Sequence, residues 1–325
     1  MIFRKLSSFI LSASFLYATE TNIQYSENSR IVFFGASVTQ QKEPGGYVGE
    51  FKKLHNPDLV HQFGYGGMQI VNAGICFIGE VLEKKPDILV LDWSLTGGGP
   101  KFEMAVKTVI QKAQNAGAHV FFIHFPRVDG ITALAEKEIE RLAPALNYSI
   151  FDLRTWFPPD LLREGLRDNC HTNAIGAKLY AEAIKAFLTS TELRLPKPII
   201  ERLPFDKIER YPVKKDVYNT LKFHLTGQLI GLYQGIGRFS NVISVQIEDS
   251  KECKHSIWDQ WCHFERDTIK VSTEPVDSDI TISVLNEEID RHLCKFQVDW
   301  AQYKPKLVLH SIMYIGHISN VTVDE

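Results

Sequence analysis

Two short blocks, far apart in the chain, carry the residue types that acyl transfer needs. Gly35-Ala-Ser37-Val-Thr39 places a serine directly after the apolar run Ile31-Val-Phe-Phe34. A serine on a turn at a strand's end exposes its hydroxyl and surrounds it with backbone N–H groups able to receive an anion. Asp168-Asn-Cys-His171 supplies a carboxylate and an imidazole three residues apart. That spacing lets the carboxylate reach the Nδ1 side of the ring within one turn, fixing its tautomer and stabilising the imidazolium. Each residue alone has a plainer role, as a capping or phosphate-binding serine, a turn aspartate or a surface histidine. Together, Ser37, His171 and Asp168 make a nucleophile, a general base and the carboxylate that orients the base. Cys170, inside the second block, is expected to point away from the base as a packing residue.

The elements between the blocks must bring them to one place. Residues 31–34 read as a buried parallel strand, apolar on both faces. A helix is predicted over 47–55, a weak strand over 59–63 and a strong one over 88–91. Phe102, Ala105, Val106, Val109, Ile110 and Ala113 recur at three- and four-residue steps, which predicts a helix over 101–116 that Gly117 stops. A strand at 120–123, a helix at 132–146, a strand at 149–153 and a helix at 173–188 follow. Strands alternating with helices imply an α/β unit with a parallel sheet covered on both faces. Right-handed crossovers put every strand's C-terminal end on one edge, so Ser37 and the Asp168–His171 block share that edge.

The pattern changes near Thr189. Four prolines punctuate a charged stretch, and 190–216 reads as a linker. From 217 to 325 the apolar period becomes two, as at Ile243, Val245 and Ile247 and at Ile280, Ile282 and Val284, with further runs at 296–298 and 307–309. Short strands at this spacing predict an all-β sandwich appended as an accessory domain. Cys253, His255, Cys262, His263, His292 and Cys294 are metal-capable types, but their spacings match no common zinc pattern, so no metal is expected. Trp258, Trp261 and Trp300 are read first as core residues and second as a sugar-stacking surface. Arg127, in the loop after the fourth strand, is a candidate for holding a substrate carboxylate, against the plainer reading of a solvated loop arginine.

Composition excludes other classes. With 44% hydrophobic and 23% charged residues, the 325-residue chain is not disordered. A net charge of −3 provides no electrostatic reason to bind nucleic acid. Five cysteines do not make a disulfide scaffold. Residues 1–18 open with Arg4 and Lys5 before an apolar run ending at Ala18, the shape of a signal peptide, although Leu16 is bulky for the cleavage site. The expectation is export to a periplasm or cell surface, with a cytoplasmic chain as the alternative. No other segment approaches the length of a membrane span.

On these blocks the chain resembles the SGNH or GDSL-type esterases and acyltransferases over residues 30–189. The resemblance implies a flavodoxin-like three-layer α/β/α sandwich. It implies that Ser37 is the nucleophile and that Gly67, in Gln62-Phe-Gly64-Tyr-Gly66-Gly67, lends its N–H, with that of Ser37, to an oxyanion hole. The family's third block normally supplies an asparagine to that hole. Here Asp92-Trp-Ser94-Leu-Thr96-Gly97 puts Thr96 at the asparagine position. A threonine hydroxyl can donate one hydrogen bond but is shorter than an amide. The implied activity is removal of a small acyl group, acetyl first, from a carbohydrate, without a cofactor. The alternatives are an O-acetyltransferase with the same triad and a weakly active carbohydrate-binding protein.

Overall fold

The computed structural model describes residues 22–324, apart from 43, 200, 249, 260, 263 and 288–301. The expected leader, the strand at 296–298, His263, His292, Cys294 and Trp300 therefore lie outside the described residues.

The first half alternates strands and helices. In chain order these are β1 (Ile31–Gly35), α1 (Ser37–Gln40), α2 (Tyr47–Leu54), β2 (Val60–Gly64), α3 (Ile75–Leu82), β3 (Ile88–Asp92), α4 (Phe102–Asn115), β4 (His119–His124), α5 (Leu134–Leu146), β5 (Ser149–Asp152), α6 (Pro159–Gly165) and α7 (Ala174–Ser190). The five strands form a parallel sheet in the order β2-β1-β3-β4-β5, the flavodoxin-like arrangement. Alternate residues of β1 enter two separate cores. Val32 and Phe34 pack with α3 and α4, whereas Ile31 and Phe33 pack with α2 and α7. That two-sided burial is why the strand reads as an unbroken apolar run. Helix α3 escaped the periodicity reading because its residues are apolar on most of its surface, with Ile75, Phe77, Ile78 and Val81 all buried.

The second half is antiparallel: β6 (Glu209–Val217), β7 (Thr220–Ile236), β8 (Val242–Ile247), β9 (Cys253–Ser256), β10 (Arg266–Lys270), β11 (Val276–Leu285) and β12 (Leu307–Asp324). Their hydrogen bonds join one sheet, β6-β12-β7-β11-β8-β9, with β10 paired to the C-terminal part of β7. Val217, Leu232, Ile243, Ile282 and Ile312 belong to one buried cluster of this unit. Strand β6 begins inside the stretch read as a linker. Its Pro212 is tolerated because β6 is an edge strand, paired only to β12.

The two units share apolar surface. Phe205, Ile269 and Met313 are buried in the same cluster as Ile70, Phe77 and Val81. Phe77 stacks on Tyr65 at 4.5 Å and meets Tyr233 of β7 edge-on at 5.0 Å. Arg210 lies over Phe77 and Tyr233 and hydrogen-bonds Glu80 at 2.6 Å. Among the described residues no helix is long and apolar enough to cross a membrane.

Candidate active site

The turn carrying Ser37 is built from below. Gly35 pairs with Gly64 on one side and Asp92 on the other, so the ends of β2, β1 and β3 are level. A Cβ on Gly35 would fall 2.4 Å from Asp92 Cβ, and one on Gly64 would fall 2.3 Å from Gln40 Cα. Only glycine permits those approaches. Asp92, buried beneath α1, accepts from Thr39 N at 3.0 Å and from Thr39 Oγ1 at 2.8 Å. Burial pushes its carboxyl up to about 6, partly offset by the Thr39 and Ala36 donors. Short α1 thereby starts at Ser37, with the N–H of Thr39 held by the buried Asp92.

The second block sits opposite. Asn173 caps α7, accepting from Ile175 N at 2.9 Å and Gly176 N at 3.1 Å, and so sets where the preceding loop ends. In that loop His171 Nε2 is 2.8 Å from Ser37 Oγ, and His171 Nδ1 is 2.9 Å from Asp168 Oδ2. Ser37, His171 and Asp168 form a continuous hydrogen-bonded chain. Burial raises the Asp168 carboxyl, but N–H groups of Cys170 and His171 and the imidazole itself outweigh it, holding the group below the ordinary carboxylate range. The acid therefore stays ionised at neutral pH beside the imidazole.

Other expected residues fall differently. Gly67 adopts φ +75°, which glycine permits. The N–H groups of Ser37 and Gly67 have no acceptor among the described residues. Thr96 Oγ1 donates to Trp93 O at 2.7 Å, closing its own turn. A hydroxyl has one proton, so Thr96 is committed there and not to an oxyanion. Arg127 is also committed. Its Nε and Nη2 hold Asp129 at 2.9 and 2.5 Å, and Asp129 accepts from Asn169 Nδ2 at 2.7 Å. Arg127 thus braces the Asp168–His171 loop instead of offering a free cation to substrate. Cys170 does not point away from the base, since its Sγ lies 3.8 Å from His171 Nδ1. Burial pushes that thiol up to about 11, so it is neutral beside the ring. In the β-domain Cys253 is exposed and Cys262 buried, and the described members of that group form no metal-capable cluster.

Sequence reasoning missed the braces. Gln41 Nε2 donates to Thr172 O at 3.1 Å, its Oε1 accepts from Thr172 N at 3.2 Å, and Thr172 Oγ1 donates to Gly45 O at 2.6 Å. These bonds tie the loop after Ser37 to the loop of His171. Polar residues flanking both blocks were the available signal, but nothing in the sequence pairs them across about 130 positions. The β-domain also reaches the site. A Cβ on Gly67 would fall 3.7 Å from Arg266 Nε, and Arg266 packs over the Phe264 ring and ion-pairs with Asp259.

No family model matches the chain, and no curated protein matches it in sequence. Solved structures do match its fold. A two-domain esterase (CEX) active on acetylated mannans aligns with a TM-score of 0.62 at 14% identity, over 89% of this chain and 92% of that one. An acetyl xylan esterase, AlAXEase, aligns at 25% identity over 48% of this chain and 98% of its own, with a TM-score of 0.40. A GDSL-like lipase from Bacteroides thetaiotaomicron aligns at 16% identity over 49% and 87%, with a TM-score of 0.37. The chain shares with that two-domain structure its fold, a five-stranded parallel α/β unit followed by an antiparallel β-domain.

Proposed function

We propose that the chain is a serine esterase that removes a small acyl group, acetyl first, from a carbohydrate. The observation that carries this reading is the unbroken Ser37–His171–Asp168 hydrogen-bonded chain beside two N–H groups without an acceptor. Ser37 Oγ attacks the acyl carbon as its proton passes to His171 Nε2, and the carbonyl electron pair moves onto oxygen. The N–H groups of Ser37 and Gly67 receive that oxyanion. The C–O bond to the sugar then breaks, and His171 returns the proton to the leaving hydroxyl oxygen. Water, deprotonated by His171, releases the acid from Ser37 and restores the enzyme. Asp168 remains ionised throughout and holds the imidazolium.

A carbohydrate is favoured by two features. The two-domain fold is shared with an esterase described as active on acetylated mannans. Arg266, which approaches Gly67, lies in a segment that presents Trp261 and Phe264 at 37% and 46% exposure. Exposed rings in the segment that reaches Gly67 suit the apolar faces of sugars. The test is acetate release from acetylated mannan and from an aryl acetate by wild type and Ser37→Ala. The variant should lose about 10⁴–10⁶ in kcat. A folded Ser37→Ala protein with wild-type turnover would refute the proposal.

A further inference from the structure

The C-terminal end of β4 carries a second cluster of polar side chains, which the proposed chemistry does not use. His124 is the last residue of β4, and Glu136 and Glu140 stand one turn apart on α5. Beside them β5 ends at Asp152, which pairs with His124 in the sheet, and Arg154 follows. We infer that His124, Glu136 and Glu140 form a binding site for one divalent transition-metal ion of the zinc class. The site shares no residue with the Ser37–His171–Asp168 chain and does not depend on the esterase reading.

His124 is 1% exposed, and neither ring nitrogen has a hydrogen-bond partner among the described residues. A buried imidazole is costly unless something meets its polar atoms. Its Nδ1 lies 3.6 Å from Glu140 Oε1 and 3.8 Å from Glu136 Oε1. Those separations are too long for hydrogen bonds. They are close to the roughly 3.3–3.4 Å between ligand atoms held tetrahedrally at about 2.0–2.1 Å from zinc. All three ligand atoms lie within 4.8 Å of one another. One imidazole nitrogen with two carboxylate oxygens suits zinc, whereas magnesium and calcium prefer oxygen alone.

Charge points the same way. Arg154 holds Asp152 at 2.8 and 2.7 Å and also touches Glu136, with Glu140 3.8 Å away. One guanidinium therefore faces three carboxylates, leaving an excess of negative charge beside the buried ring. Burial and the Arg154 charge push the His124 imidazole down to about 4, so the ring is neutral and does not supply the second cation. A divalent ion balances the two glutamates while Arg154 stays on Asp152. A cleft of about 340 Å³, lined in part by Glu136 and Arg154, gives the ion and a water ligand a way in. The ion ties α5 to the end of β4. From there the chain runs to Val128, whose N–H donates to Asn169 O at 2.9 Å in the Asp168–His171 loop. The site is structural and touches no reacting atom.

The experiment uses the full chain, stripped with a chelator and titrated with Zn²⁺ against a chromophoric zinc indicator. Wild type should take up one equivalent. Its melting temperature should rise by about 5 °C at roughly a hundredfold excess of Zn²⁺ over the dissociation constant. Glu140→Gln keeps the shape of a half-exposed side chain and removes one ligand charge. It should weaken Zn²⁺ at least roughly 10–100-fold, since changing even an outer partner of a metal site costs that much. His124→Gln should do the same, and Glu140→Gln decides alone if that buried change prevents folding. Co²⁺ provides a spectroscopic check, because its visible absorption on binding should appear in wild type and vanish in Glu140→Gln. Cys170→Ala is the control, since Asp168, Cys170 and His171 also bring three ligand atoms within 4.8 Å. It should bind Zn²⁺ as wild type does. Uptake lost in Glu140→Gln and kept in Cys170→Ala establishes the site. Unchanged affinity in Glu140→Gln, or loss of uptake in Cys170→Ala, puts the ion elsewhere and overturns the assignment. A folded wild type that takes up no Zn²⁺ overturns it as well, with Arg154 then the cation that serves the cluster.

Discussion

Asp92→Asn would test how the Ser37 turn is held. Asp92 is 1% exposed and accepts two bonds from Thr39, whose hydroxyl also contacts Tyr47 Oη at 2.8 Å. Its carboxyl is raised from 3.8 to about 6, chiefly by burial. A carboxyl raised in the folded state binds its proton more tightly there than in the unfolded chain. Its contribution to stability is therefore fully present below about pH 3.8 and lost as pH rises through about 6. About two pH units correspond to roughly 3 kcal/mol, of which about 2–3 kcal/mol is traversed between pH 4 and pH 7. Asparagine carries no such titration. The difference in unfolding free energy between wild type and Asp92→Asn should then change by about 2–3 kcal/mol across that range, moving against wild type as pH rises. For a unit of this size the relative melting temperature should drift by roughly 4–10 °C. Urea or thermal unfolding of both proteins at half-unit pH steps measures it. Parallel stability curves from pH 4 to 7 would show that Asp92 titrates as an ordinary carboxylate, and that burial is not what sets its state.

Two substitutions examine other parts of the same frame. Asp129→Ala frees Arg127 and removes the acceptor of Asn169 Nδ2, so the Asp168–His171 loop should lose registry with Ser37. We expect kcat to drop by about tenfold with little change in melting temperature, and an unchanged kcat would mean the Gln41–Thr172 bonds suffice. Gly35→Ala forces a Cβ to within 2.4 Å of Asp92 Cβ and 2.6 Å of Asp92 O. It should destabilise the protein by about 1–3 kcal/mol or more in chemical denaturation, whereas a neutral result would mean β1 and β3 can separate at their ends.

What the sequence revealed divides along the range of the interactions. The strands β1, β3 and β4 were legible because burial on both faces leaves only apolar residues, and α4 was legible because its single buried stripe repeats at helical spacing. Ser37, Asp168 and His171 stood out because they belong to local blocks whose residue types have one shared use. Gln41 and Asp129 did not, because their partners Thr172 and Asn169 are brought close by topology alone. Thr96 and Arg127 were drawn into the site by position in the chain, and each was instead claimed by a nearer partner, Trp93 O and Asp129. The tight turn and the two-residue ion pair are local contacts, always available, and they win over a ligand that must diffuse in.

The β-domain reads in the sequence as an appended accessory unit, and in the fold it shares a core with the α/β unit. Met313 is 1% exposed and Phe205 and Ile269 are 6% exposed within the cluster that contains Phe77, Ile70 and Val81 of the α/β unit. Removing 217–325 would uncover that face, including the Tyr65–Phe77 stack that continues the segment bearing Gly67. The two units should therefore unfold in one calorimetric transition. Met313→Ala, on the β-domain side, should cost about 2–5 kcal/mol and lower the melting temperature of the whole chain. A truncated 22–216 protein should fail to give a cooperative transition and should lose aryl-acetate turnover along with polymer turnover. If that truncated protein melts cooperatively and keeps its kcat on aryl acetate, the shared core is dispensable and the β-domain is a separable attachment. The close approach of Arg266 to Gly67 makes that outcome incompatible with a site assembled from both units.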